Sequence, residues 1–258
     1  MQGNRSRWCR LRATSALVVL AATLLALPQT GASAAVDKRV SPSGAAIPSL
    51  DGWRLKFGDN FTGGSVDSHA WSLYDGGSGS PKAASNVKVH DGMVTLQVAK
   101  HGNAWSGAGM CGCRVTTGTY GTYLLRVRYD HGLGAHAYAL MWPTHGWPPE
   151  VDFMEYDARD STHHLLMLTN HYSSANLMQH AFIPGDYRKW HTIGLEWTPT
   201  ELRYTLDGRT TEVMKGHVPH QPMWVGIANS LGNQVRPGAT TPNPVDLDID
   251  WFAYYVRS

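Results

Sequence analysis

Glu150-Val151-Asp152-Phe153-Met154-Glu155 threads three carboxylates through apolar residues. A segment that mixes acids with core residues reads as a strand with one wet and one buried face, because side chains on a strand alternate sides. Strict alternation puts Glu150 and Asp152 together and turns Glu155 the other way. One extra residue near Phe153 or Met154, a β-bulge, restores the parity, so that all three acids share a face while Val151 and its apolar neighbours turn inward. Over about four effective steps of roughly 3.3 Å, the two glutamates then stand about 13 Å apart along the backbone. Long side chains leaning over the short aspartate bring the two carboxyl groups closer.

The same pattern governs the rest of the chain. From about Ser49 onward, short β-rich runs alternate with turn residues, as at Val94 to Val98, Tyr123 to Tyr129, Leu165 to Leu168, Thr192 to Trp197 and Leu247 to Val256. No stretch holds a helical period. The spacing predicts an all-β sandwich of two antiparallel sheets, with Asp207-Gly208 as a hairpin turn. With 42% hydrophobic and 16% charged residues, the chain can bury a full core. It shows no internal repeat and no second domain.

Upstream lie Arg5, Arg7, Arg10 and Arg12, an apolar stretch from Ala13 to Leu27, and Ala32-Ser33-Ala34. That order reads as a secretory signal peptide over residues 1–34, the apolar stretch being shorter than the roughly 18–20 residues of a spanning helix. Residues 35–48, with Lys, Ser, Gly and two Pro from Val36 to Pro48, read as a short linker without structure of its own, and 49–258 as one domain. The expected setting is extracellular, with no membrane contact once the signal is removed. Cleavage leaves Cys111 and Cys113. Thiols in an oxidising compartment invite pairing, yet residues two apart on a regular strand lie roughly 6.6 Å apart, so a bond demands local distortion. Both states stay open. Cys-Gly-Cys offers only two zinc ligands. The net charge of +2 and the lack of a long basic run after the signal give no reason to expect nucleic acid.

Carboxyl groups about 5–5.5 Å apart serve retaining glycosidases as nucleophile and general acid/base. The ordinary alternative is a solvated acidic face. Trp142, Trp147, Tyr156 and several histidines lie close by, as in a cleft where flat rings cover the apolar faces of sugars. Trp142 and Trp147 are candidate stacking platforms, with burial in the core as the competing reading. His163, His164, His171 and His180 do not read as a metal cluster, since alternation sends His163 and His164 to opposite faces.

The sequence resembles glycoside hydrolase family 16, in its laminarinase-like branch with the bulged Glu-aliphatic-Asp-x-x-Glu signature. Phe57-Gly-Asp-Asn-Phe61, Asn86 to Leu96, Tyr120-Gly-Thr-Tyr-Leu-Leu-Arg126, Trp190 to Trp197, Tyr204 to Gly208 and Asp248 to Tyr255 are similar to family segments in the same order. The resemblance implies a concanavalin A-like jelly roll with a concave cleft. It makes Glu150 the nucleophile and Glu155 the acid/base, with Asp152 between them and hydrogen-bonded to Glu150. His171, Arg126 and Asn229 join Trp142 and Trp147 as expected substrate contacts. Asp250, with Gly92, is the expected seat of a structural calcium ion; catalysis is expected to need no cofactor. Leu124 stands where the family carries an acid, and Ala135 to Trp142 replaces a Trp-Pro-Ala-Phe-Trp segment, so both are expected to bear on sugar preference.

The implied activity is that of a secreted monomeric endo-β-glycanase acting on β-1,3- or mixed-linkage β-1,3-1,4-glucan by double displacement. A transglycosylase on the same site and a hydrolase of agar, carrageenan or another polysaccharide remain alternatives, because selectivity lies in cleft loops. A carbohydrate-binding lectin is a third reading. The acidic triplet argues against it, since a pure binder has no need of a bulged strand of acids.

Overall fold

The computed structural model describes residues 41–258; the expected signal segment and residues 35–40 of the expected linker lie outside the described residues. The chain runs through β1 (Trp53–Asp59), β2 (Ser72–Leu73), β3 (Val87–His90), β4 (Met93–His101), β5 (Ala104–Ser106) and β6 (Ala108–Cys111). It continues with β7 (Gly121–Tyr129), β8 (Ala135–Pro143), β9 (Glu150–Glu155), β10 (Leu165–His171) and β11 (Met178–Pro184). Last come β12 (His191–Trp197), β13 (Glu201–Leu206), β14 (Arg209–Lys215), β15 (Met223–Leu231) and β16 (Val245–Arg257). One sheet has the order β14-β13-β12-β7-β16-β4-β3, with β1 on β16 and β5 on β4. The other runs β11-β10-β9-β8-β15-β6-β2 and carries the acidic strand. Every pairing between these strands is antiparallel.

Strand parity builds the core. Odd residues of β7 (Tyr123, Leu125, Val127, Tyr129) meet odd residues of β8 (Ala135, Ala137, Ala139, Met141) and of β15 (Met223, Val225, Ile227) between the sheets. In β16 the parity switches. Val245, Leu247 and Ile249 face the core, then Phe252 and Tyr254 do, because the register with β7 shifts between Ile249 and Trp251. The bulge at Asp250 therefore leaves Trp251, Ala253 and Tyr255 on the outer face of the sheet.

That outer face is covered. Residues 41–48, the described part of the expected linker, lie against it instead of hanging free. Trp251 Nε1 donates to the Ala45 carbonyl at 2.8 Å and the Tyr255 hydroxyl to the Pro48 carbonyl at 2.6 Å. Ile47, Leu50 and Trp53 pack on Leu124, Trp251, Ala253 and Tyr255. The physical reason is the apolar outer surface created by the β16 bulge, which needs a cover.

Cys111 and Cys113 are bonded, with Cα atoms 5.2 Å apart. The required distortion comes where β6 ends: the Val115 and Thr116 amides both donate to the Gly112 carbonyl, folding the chain back. A Cβ on Gly112 would lie 2.7 Å from Thr116 Cγ2, so glycine is needed there. Asp207-Gly208 forms the expected hairpin, both residues at positive φ (49° and 78°) and Leu206 paired with Arg209. Among the described residues no helix is long and apolar enough to cross a membrane.

Candidate active site

The acidic strand is bulged. Against β8, Met141 pairs with Val151 and Leu140 with Asp152, but Ala139 pairs with Met154 and Tyr138 with Glu155. Phe153 is the extra residue. Val151, Phe153 and Met154 consequently enter the core, while Glu150, Asp152 and Glu155 line one cleft together with Tyr74, His136, Tyr138, Trp142, His171 and Trp224. The cleft holds about 270 Å³. A neighbouring hollow of about 200 Å³ shares His136 and Glu155 and continues past Asp157 and Arg159.

Each acid has a different environment. Glu150 Oε2 accepts from Trp147 Nε1 at 2.7 Å. Burial raises the pKa of Glu150, while the Trp147 hydrogen bond and the charge of His171 act in the opposite direction. Asp152 is the deepest, 4% exposed. Its carboxylate lies 3.5 Å from His171 Nε2 and, in place of the expected bond to Glu150, this is its contact. Burial pushes Asp152 up to about 7, against the lowering pull of His171. The hydrogen bond to Asp152 in turn raises His171 to about 9. Both partners move up because desolvation outweighs the ion pair on the aspartate, whereas the half-buried histidine gains more from its partner than it loses to burial. His171 Nδ1 is also held by Asn176 Oδ1 at 2.8 Å. Glu155 Oε1 lies 3.0 Å from His136 Nε2.

Of the other expected contacts, Trp142 lines the cleft from β8. Trp147 stands at its edge, 38% exposed, with its ring 6.1 Å from that of His171. Arg126 is elsewhere. As an even residue of β7 it points to the outer face, where it donates to Ser43 and Thr192, both at 3.3 Å, and lies 3.6 Å from Asp207. Leu124 shares that face and is packed under the 41–48 segment, so it does not touch the cleft. Asn229 is also excluded from the cleft. Its parity on β15 is that of the core residues, and its amide donates to the Leu96 and Val245 carbonyls at 3.0 Å each and accepts from the Tyr129 hydroxyl at 3.1 Å. It ties the two sheets together.

Asp250 is buried in its bulge. Oδ2 accepts from Ser41, at 2.8 Å, and from Ser43, while Oδ1 is buried without a partner. An unsatisfied buried carboxylate oxygen is the condition a cation would relieve. No group of three or more Asp, Glu, His or Cys surrounds it among the described residues, so a calcium ion there would need carbonyl and hydroxyl oxygens for the rest of its six to eight ligands. Gly92 lies in the β3–β4 turn at φ 73°, just beyond the Val94–Ile249 pair.

Sequence reasoning missed Tyr74, His136, Tyr138 and Trp224 as cleft residues. For β8 the signal was available: His136, Tyr138, Leu140 and Trp142 recur at every second position opposite a buried set of alanines and Met141.

A family model described as Glycosyl hydrolases family 16 matches residues 80–253. The Endo-1,3-1,4-beta-glycanase ExsH of Rhizobium meliloti (strain 1021) is 25% identical over 198 residues, 66% of this chain and 42% of that protein. The Beta-glucanase of Rhodothermus marinus is 26% identical over 182 residues, 60% of this chain and 63% of that protein. The chain thus spans less than two thirds of the length of either. The crystal structure of the laminarinase catalytic domain from Thermotoga maritima MSB8 superposes with a TM-score of 0.71 at 20% identity, covering 80% of this chain and 99% of that one.

Proposed function

The chain belongs to Glycosyl hydrolases family 16, and on that premise we propose that it is a secreted, monomeric, retaining endo-β-glycanase acting on β-1,3- or mixed-linkage β-1,3-1,4-glucan. One observation carries the reading: a bulge at Phe153 brings Glu150, Asp152 and Glu155 into a single cleft, each with a different partner. The names of the two curated relatives support the substrate class. The basic and apolar leader supports secretion.

In the first step the Glu150 carboxylate attacks the anomeric carbon while the glycosidic bond breaks, and the departing sugar oxygen takes the proton of Glu155. In the second, water gives a proton to the Glu155 carboxylate and attacks the same carbon, which releases Glu150 and retains the configuration. Trp147 fixes Glu150 through its indole N–H, and protonated His171 favours the charged form of the nucleophile. Asp152 couples the two by holding His171. Trp142 and Trp224 line the cleft and Trp147 stands exposed at its edge, so the three supply the aromatic surface a sugar chain would lie against.

The test is substitution with rescue. Glu150→Gln and Glu155→Gln should each abolish most hydrolysis of laminarin with the fold intact by circular dichroism. In Glu150→Gly, azide should restore cleavage and give an α-glycosyl azide, since the anion then attacks from the vacated face. Near-normal turnover by either Gln variant sinks the assignment.

A further inference from the structure

We propose that His136 is a positioning residue for Glu155, fixing which of its two oxygens carries the catalytic proton; the inference rests on the acid/base role just given to Glu155. The pair is built by the register. Tyr138 lies directly across from Glu155, so His136, two residues along the same face of β8, is a diagonal neighbour, a separation that long side chains span. Its Nε2 reaches Glu155 Oε1 at 3.0 Å, with both side chains largely screened at 24% and 21% exposure.

The direction of that hydrogen bond decides what the acid can do. If Nε2 were the acceptor, the Glu155 proton would point at the ring and away from the sugar. With Nε2–H donating to Oε1, that oxygen is occupied and the acidic proton resides on Oε2, free for the glycosidic oxygen. The same donor supports the carboxylate left after proton transfer, the state that must next take a proton from water. The surroundings favour a donor. Asp157, whose carboxylate is held ionised chiefly by its hydrogen bond from Arg159, shares the hollow with His136. Glu150 and Asp152 flank Glu155 on β9, Tyr138 lies beside the ring on β8 at a centroid distance of 5.3 Å, and His171 and Arg159 complete the charged groups lining the two hollows.

A positioning role makes a prediction that a packing role does not. kcat/KM reports only the steps through cleavage of the first bond, and a 2,4-dinitrophenolate departs without a proton. The wild-type protein, His136→Ala and His136→Gln are compared on laminarin and on 2,4-dinitrophenyl β-laminaribioside. His136→Ala should lower kcat/KM on laminarin on the order of tenfold to a hundredfold, a share of what a general acid contributes, and change it by no more than about threefold on the aryl glycoside. His136→Gln, whose amide N–H can still reach Oε1, should recover most of the loss. Equal losses on both substrates, or no loss on laminarin, would overturn the inference. A wild-type protein inert on both would overturn the reading of the site itself, and this inference with it.

Discussion

Replacing Asn229 by alanine separates a residue that joins the sheets from one that binds sugar. The side chain is fully buried and makes three hydrogen bonds: two from its amide to the carbonyls of Leu96 and Val245, and one from the Tyr129 hydroxyl to its oxygen. Truncation leaves two carbonyls and a hydroxyl short of a partner in a dry interior. A buried polar group left unpaired costs about 1–3 kcal/mol. Backbone carbonyls that keep a ladder bond fall at the low end and the orphaned hydroxyl higher, so the expected loss is about 3–5 kcal/mol. That is a large share of the roughly 5–15 kcal/mol holding a typical domain together. Urea unfolding followed by tryptophan fluorescence should show the midpoint falling with little change in slope. Below the transition, KM for laminarin should stay within about twofold of wild type, because no atom of Asn229 reaches the cleft. A destabilisation under about 1 kcal/mol would refute the hydrogen-bond argument, and a KM raised tenfold with stability intact would restore the substrate-binding role.

The acid limb of the pH–rate profile should lie above 4.5, the ordinary glutamate value, because burial raises Glu150 and the nucleophile must be ionised. In His171→Ala, loss of a nearby cation disfavours both carboxylates, so the limb should move to higher pH and Asp152 should rise further above about 7; a limb that stays put or falls contradicts the charge assignment. A structural calcium at Asp250 should show as a thermal shift: a hundredfold excess over Kd adds about 2.7 kcal/mol, or about 5–10 °C in a domain of this size. The shift should vanish with EDTA and in Asp250→Asn. An unchanged Tm in wild type would mean that the buried Oδ1 is tolerated without a cation.

The acidic strand was readable because its parity conflict has a single local solution, one extra residue, and the apolar identities of Phe153 and Met154 permit both to enter the core. The Asp207-Gly208 hairpin was readable for a similar reason: its chemistry is contained in two residues. Arg126 and Leu124 were misplaced because which face of a strand meets the cleft depends on which sheet the strand joins, and β7 belongs to the sheet that does not carry the acids; Asn229 is on β15 of the acid-bearing sheet, but its parity turns it into the core. The even-numbered set His136, Tyr138 and Trp142 could be read as one face, but its registration against Glu155 requires the bulge to be placed to the residue. Residues 41–48 looked like a linker because their composition is that of a linker. What holds them is the outer apolar surface made by the bulge at Asp250, some two hundred positions away in the chain.

In the proposed double displacement on a β-glucan, Glu150 is the nucleophile and Glu155 the acid/base. Proton NMR of the first products, recorded faster than mutarotation during cleavage of laminarin and of barley glucan, tests it directly. Oligosaccharides should be released from within the chain, with the β-anomeric signal appearing first and the α signal growing in later. An initial α-anomer would contradict the mechanism, and inertness on both glucans with cleavage of agar or carrageenan would contradict the substrate.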